Sequence, residues 1–229
     1  MLLETHDKLL FIGDSVTDVD RARPVGQGLA FGLGHGYPLL VNAQLALRFP
    51  QLHVEVLNLG TSGNTTRDLL ARWESDVLAH KPSVVSILIG INDVWREFDC
   101  PGRKDQVTVD EYAANLRTLI ASTLPEVKAI LLLTPFFLEL HADDPMRSMT
   151  DEYAAVCRAV AEENERVWLV DTQAAFDQLL ARRHYMTIAG DRVHPNTTGH
   201  LLISELVTDM LATAELVTGE NTVRAGQHP

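Results

Sequence analysis

The sequence predicts a three-layer α/β/α sandwich around a five-stranded parallel sheet, and three observations lead there. Short runs rich in Val, Ile and Leu alternate with longer segments whose apolar residues recur at helical spacing. The short runs are apolar almost throughout, as strands covered on both faces must be. The polar residues able to do chemistry fall just past the ends of those runs, where sites form in parallel sheets.

Taken in order, strands are expected at 8–13, 53–58, 84–90, 128–134 and 166–171. Helices are expected at 38–49, 66–80, 110–124, 150–164, 172–184 and 197–214, with Asp110 and Thr150 as N-caps. Alternation of this kind favours parallel strands joined by right-handed crossovers, and with five strands a flavodoxin-like order 2-1-3-4-5 is the first choice. The segment 26–36 holds five glycines and reads as a loop between the first strand and the first long helix, and 100–106 reads as a surface loop. No repeat or interdomain linker is evident. Residues 1–217 are therefore read as one domain and 218–229 as a polar C-terminal tail.

The chain has 229 residues, enough for one full α/β core. Its formal net charge of −12, from 31 acidic against 19 basic side chains, repels phosphate backbones and anionic lipid surfaces. Nucleic acid and membrane are thus excluded as expected partners, and a neutral small molecule is favoured. The first apolar run ends at Gly13, too short for a signal or membrane segment, so a soluble, cytoplasmic protein is expected. Cys100 and Cys157 fall in no metal-binding or redox spacing, and a reducing compartment is the simpler reading.

Four islands carry the chemistry: Gly13-Asp14-Ser15-Val16-Thr17, Ser62-Gly63-Asn64-Thr65, Gly90-Ile91-Asn92-Asp93 and Asp191-Arg192-Val193-His194-Pro195. A serine hydroxyl is a poor nucleophile until a base takes its proton and donors await the oxyanion. Asp191 and His194 are close enough for the carboxylate to meet one imidazole nitrogen. Pro195 disfavours helix at His194, so the pair is expected in an extended loop, its other nitrogen facing Ser15. Gly63 lets its backbone N–H approach a substrate oxygen, Asn92 can donate from its amide, and the Ser15 N–H makes a third donor. Asp14 is read as tying down the turn. Each feature alone has a plainer reading as a turn, a cap or a surface histidine; their joint occurrence in this order argues for a site. Trp95, soon after Asn92, is a candidate for lining it, whereas Trp73 lies in an amphipathic helix and is read as core. Arg96 is read as a structural ion pair rather than an anion ligand.

These islands resemble the four motif blocks of the SGNH, or GDSL-type, hydrolases. The resemblance implies the SGNH-hydrolase fold, Ser15, Asp191 and His194 as catalytic triad, and Ser15, Gly63 and Asn92 as oxyanion hole, with no metal or cofactor. The first block reads Gly-Asp-Ser-Val here rather than Gly-Asp-Ser-Leu. Arg21-Ala22-Arg23-Pro24, Thr66-Arg67-Asp68-Leu69 with Arg72-Trp73, the stretch 90–96, Asp144-Pro145-Met146-Arg147 and the stretch 171–176 are similar to a bacterial branch that includes intracellular acetylxylan esterases. The resemblance runs from about Lys8 to Leu211 and implies an esterase for small acyl esters, with acetylated xylo-oligosaccharides as substrate and a homo-oligomer as its assembly. That branch carries a tryptophan before the triad aspartate, whereas this chain has Ala189-Gly190, implying a more open pocket.

Two other readings stand beside it. A lysophospholipase or acyl-thioesterase would use the same site on longer chains, which the acidic charge and absent apolar lid disfavour. A catalytically silent carbohydrate-binding protein would share the fold. Gly26-Gln27-Gly28 does not complete a dinucleotide fingerprint, and the Gly-x-Ser-x-Gly elbow is absent.

Overall fold

The computed structural model describes residues 1–28, 31–99 and 106–214. Strands β1 (Lys8–Gly13), β2 (Glu55–Asn58), β3 (Val84–Leu88), β4 (Ala129–Leu133) and β5 (Val167–Val170) form one sheet in the order β2-β1-β3-β4-β5. Every neighbouring pair is parallel. The helices are α1 (Ser15–Asp18), α2 (Tyr37–Arg48), α3 (Thr66–Asp76), α4 (Ile91–Asp99), α5 (Val109–Thr123), α6 (Pro145–Glu162), α7 (Thr172–Leu180) and α8 (Thr197–Thr213). The expected architecture and strand order are both present.

The strand pleat sorts the apolar runs onto two cores. Leu9 and Phe11 of β1 join Leu131 and Leu133 of β4 on one face, where α2, α7 and α8 bring Val41, Phe176 and Ile203. Leu10 and Ile12 join Ile130 and Leu132 on the other, against Leu69 and Trp73 of α3, Leu116 of α5 and Tyr153 of α6. Consecutive residues of one strand point to opposite faces, so a run apolar at every position is what two covered faces require. Burying each such Leu, Ile or Phe contributes roughly 1.5–3 kcal/mol. Trp73 is core as expected, its indole N–H donating to Thr123 Oγ1 at 2.9 Å.

Several boundaries differ from expectation for local reasons. The helix expected from Thr150 begins at Pro145, because Asp144 caps it by accepting the Met146 and Arg147 N–H groups. Proline is favoured in the first turn, where no donor is lost. Thr150 instead lies inside α6 and donates to Met146 O. Thr108, not Asp110, caps α5 by accepting the Glu111 N–H at 3.3 Å. The helix expected over 66–80 stops at Asp76 and gives way to a 3-10 turn, Leu78–His80, closed by Lys81 at φ 49°. Asn92-Asp93, a turn pair by composition, opens α4. The loop 26–36 follows the short α1. Within it Gly34, at φ +83°, lies so close to the Val19 and Asp18 carbonyls that a Cβ would meet them at 2.5 and 2.6 Å. The expected loop 100–106, except Gln106, and the expected tail lie outside the described residues.

Cys157 carries a buried free thiol 3.1 Å from Tyr112 Oη, and burial pushes it up to about 12. Cys100 lies outside the described residues. No helix among the described residues is long and apolar enough to cross a membrane.

Candidate active site

Four strand-end or interhelical segments converge at the carboxyl ends of the strands. β1 ends at Gly13, and Asp14 caps the single turn of α1 by accepting the Val16 N–H at 3.0 Å. Ser15 is thereby fixed as the first residue of that turn. Its Oγ lies 2.8 Å from His194 Nε2. His194 Nδ1 lies 2.6 Å from Asp191 Oδ2. A carboxylate only accepts, so Nδ1 must carry the proton and Nε2 presents its lone pair to the serine hydroxyl.

Asp191 and His194 lie in a tight turn before α8 rather than in extended chain, since Arg192 between them takes φ 65°. Asp191 Oδ1 accepts the Val193 and His194 N–H groups at 3.0 and 2.9 Å, which builds the turn around the carboxylate. Partial burial opposes the charge on Asp191. The bonds from the His194 backbone and ring outweigh it and hold the carboxyl below its usual range. The pair remains open to solvent, with side chains 44% and 46% exposed.

An N–H group free to meet an oxyanion must be one that no other acceptor claims. After β2, Leu59 N donates to Phe11 O, Thr61 N to Gly13 O and Asn64 N to Thr61 O. Gly60 N donates to Asn58 Oδ1 and Ser62 N to Asp18 Oδ2. Thr65 N is taken by Asp68 and Thr66 N by Asp93. Gly63 N alone in this stretch has no acceptor among the described residues, and Gly63 sits at φ +81°, where a side chain is strained. Ser15 N–H is likewise unclaimed by any described residue. Asn92 Nδ2 donates one proton to Asn64 O at 3.0 Å and keeps a second available. These three N–H groups belong to the residues that the resemblance implies for an oxyanion hole.

Two buried carboxylates brace this frame. Asp93, next to Asn92, accepts Thr66 N with both oxygens and the Thr66 hydroxyl at 2.6 Å, tying α4 to the start of α3. Burial pushes Asp93 up to about 7, against the pull of the Thr66 bonds, and does the same to Asp14 against the Val16 N–H and the nearby His194. Sequence reasoning gave Asp93 no role, because a residue that acts by gripping a helix far along the chain has no local signature. Trp95 does reach the site, its ring centroid 5.9 Å from that of His194. Arg96 pairs with Asp99 one turn along α4, as expected. Gly190 is exposed, and a Cβ added there would meet nothing within 4 Å, so the approach beside Asp191 is open.

The family model described as the GDSL-like lipase/acylhydrolase family matches residues 11–202. The chain belongs to this family. It is a serine ester hydrolase. The acylhydrolase is 50% identical over 205 residues to an acetylxylan esterase of Geobacillus stearothermophilus, covering 89% of this chain and 93% of that one. The crystal structure of the acetylxylan esterase Axe2 from that organism matches it with a TM-score of 0.90 at 47% identity, over 96% of this chain and 100% of the other. Alanine variants of Axe2 at a serine, an aspartate and a histidine, each described as a catalytic mutant, match as well. An α/β hydrolase from the metagenome of Lake Arreo in Spain is similar too, with TM-score 0.89, 44% identity, and coverage of 93% and 98%.

Proposed function

We propose that this acylhydrolase removes acetyl groups from xylo-oligosaccharides, with Ser15 as nucleophile, His194 as general base and acid, and Asp191 as the group that orients His194. The observation that carries the reading is the unbroken chain from Ser15 Oγ to His194 Nε2 and from His194 Nδ1 to Asp191. The identity to an acetylxylan esterase over 89% of this chain supports the substrate class.

In the first half-reaction Ser15 Oγ bonds to the acetyl carbonyl carbon while its proton passes to His194 Nε2. The carbonyl oxygen becomes an oxyanion, received by the Ser15 and Gly63 N–H groups and the Asn92 amide. Asp191 stabilises the imidazolium without itself taking the proton. The bond to the sugar oxygen then breaks, and His194 returns the proton to that oxygen, freeing the alcohol. Water attacks the acetyl-enzyme by the same route: its proton goes to His194, the ester bond to Ser15 breaks, and acetate and the serine hydroxyl are released. No step calls for a metal or cofactor.

Trp95 offers an aromatic face beside His194, where the leaving sugar departs, and the open surface at Gly190 leaves room for an oligosaccharide. Cytoplasmic location and homo-oligomeric assembly belong to the same reading, on the resemblance to intracellular relatives; fractionation and light scattering test them. The decisive experiment measures p-nitrophenyl acetate hydrolysis and acetate release from acetylated xylo-oligosaccharides. Ser15→Ala is expected to fold and to lose both activities. Retained turnover in that variant overturns the mechanism, and activity peaking on long acyl chains overturns the acetyl assignment.

A further inference from the structure

Arg72 lies on α3, away from the reacting atoms, yet its guanidinium reaches two segments of the site through three acceptors. Nε donates to Asn64 Oδ1 at 2.7 Å, one Nη1 proton to Leu59 O at 2.8 Å, and Nη2 to Gly13 O at 3.1 Å. The remaining Nη1 contact is Asp76 Oδ2 at 2.6 Å, which balances the charge of a side chain only 17% exposed. Two of these acceptors, Gly13 and Asn64, stand close to a proposed oxyanion donor, and Leu59 lies earlier in the segment that carries Gly63. Gly13 immediately precedes Asp14-Ser15, and its carbonyl also accepts Thr61 N. Asn64 follows Gly63, and its own carbonyl accepts the Asn92 amide. One planar cation therefore spans the end of β1, the segment after β2 and, through Asn64, the start of α4.

Such a group does what no single backbone bond can. Three donors from three elements must converge on one oxygen, and small errors in their relative placement cost large factors in rate. Arg can span fixed acceptors in a plane because its donors form a rigid fork; the point charge of Lys cannot. We infer that Arg72 is a positioning residue for the oxyanion hole, holding the Ser15 N–H, the Gly63 N–H and the Asn92 amide in register without touching substrate. The inference rests on the proposed triad mechanism.

The test is steady-state kinetics of Arg72→Ala and Arg72→Lys on p-nitrophenyl acetate, with and without millimolar guanidinium, beside circular dichroism. Arg72→Ala is expected to keep its helical spectrum and lose on the order of a hundredfold in kcat, the scale of a lost oxyanion donor, with KM little changed. Guanidinium is expected to restore kcat in Arg72→Ala and to leave wild type and Asn92→Ala unimproved. Arg72→Lys is expected to remain impaired. A kcat within about threefold of wild type, or a well-folded Arg72→Ala that guanidinium does not rescue, overturns the inference. Should Arg72→Ala fail to fold, Asn64→Ala cuts one limb of the clamp and keeps the main chain. Lower kcat at unchanged KM supports the role there, and unaltered kcat refutes it. Ser15→Ala in the same assay separates the two readings. If it is active, the mechanism itself fails; if it is dead while Arg72→Ala is unimpaired, only the positioning role fails.

Discussion

The two halves of the site are built in opposite ways. The Asp191–His194 turn is held largely by its own atoms, Asp191 accepting from Val193 and His194, and about half of each key side chain faces solvent. The stretch from Leu59 to Thr66 is held by distant partners: Asp18, Asp93 and the carbonyls of Phe11 and Gly13. The difference follows from their tasks. An imidazole that exchanges protons with an alcohol and with water needs access. Oxyanion donors contribute most when they are oriented before the charge arrives, so no energy is spent turning them during reaction.

Four substitutions probe that contrast, in falling order of effect. Asp191→Asn leaves the turn in place but removes the acceptor that fixes the His194 tautomer, so kcat is expected to fall by about 10⁴; a loss below tenfold would detach Asp191 from the chemistry. Asn92→Ala removes one donor from the braced half, and a loss of about 10²–10³ in kcat is expected with KM little moved. Equal effects of the two changes on KM alone would sink the division of labour. Trp95→Ala is expected to raise KM about tenfold for acetylated xylo-oligosaccharides, an aromatic contact being worth about 1.4 kcal/mol, and to spare p-nitrophenyl acetate. Equal loss on both substrates would make Trp95 a packing residue.

The smallest effect concerns stability. Asp14 is pushed up to about 7 in the folded state by burial, against about 3.9 unfolded. A raised carboxyl favours folding where it is protonated. Its contribution is complete below pH 4 and is lost as pH rises through 7. Asp14→Asn keeps an acceptor for Val16 N–H, so thermal melts should show it gaining on wild type from pH 4 to 8, with a gap of a few degrees at the top. Parallel curves would place the charge cost elsewhere. Asp191 has the opposite sign: its lowered carboxyl adds stability above pH 4 that fades under more acid conditions.

How much was legible in the sequence follows the same divide. β1 was readable to the residue because an apolar run bounded by Lys8 and Gly13 leaves no choice of register. That Ser15, Asp191 and His194 come together was readable because each sits in a short motif whose backbone demands are local. The start of α6 was missed because Thr150, an acceptable cap by type, lies inside a helix that Asp144 and Pro145 had already begun. The roles of Asp18 and Asp93 were not legible at all. A carboxylate that grips a residue 44 or 27 positions away leaves no periodicity or spacing to detect.

Ser15 and His194, the proposed nucleophile and base, are 179 positions apart in the chain. During synthesis at about 5–20 residues per second, Ser15 therefore precedes His194 by roughly ten to forty seconds. A nascent chain offers only an ordinary alcohol, since the group that would activate it has not been made. Under the proposed mechanism Ser15 has no base until the turn before the last described helix docks, so a product truncated ahead of His194 is expected to lose its activity on p-nitrophenyl acetate.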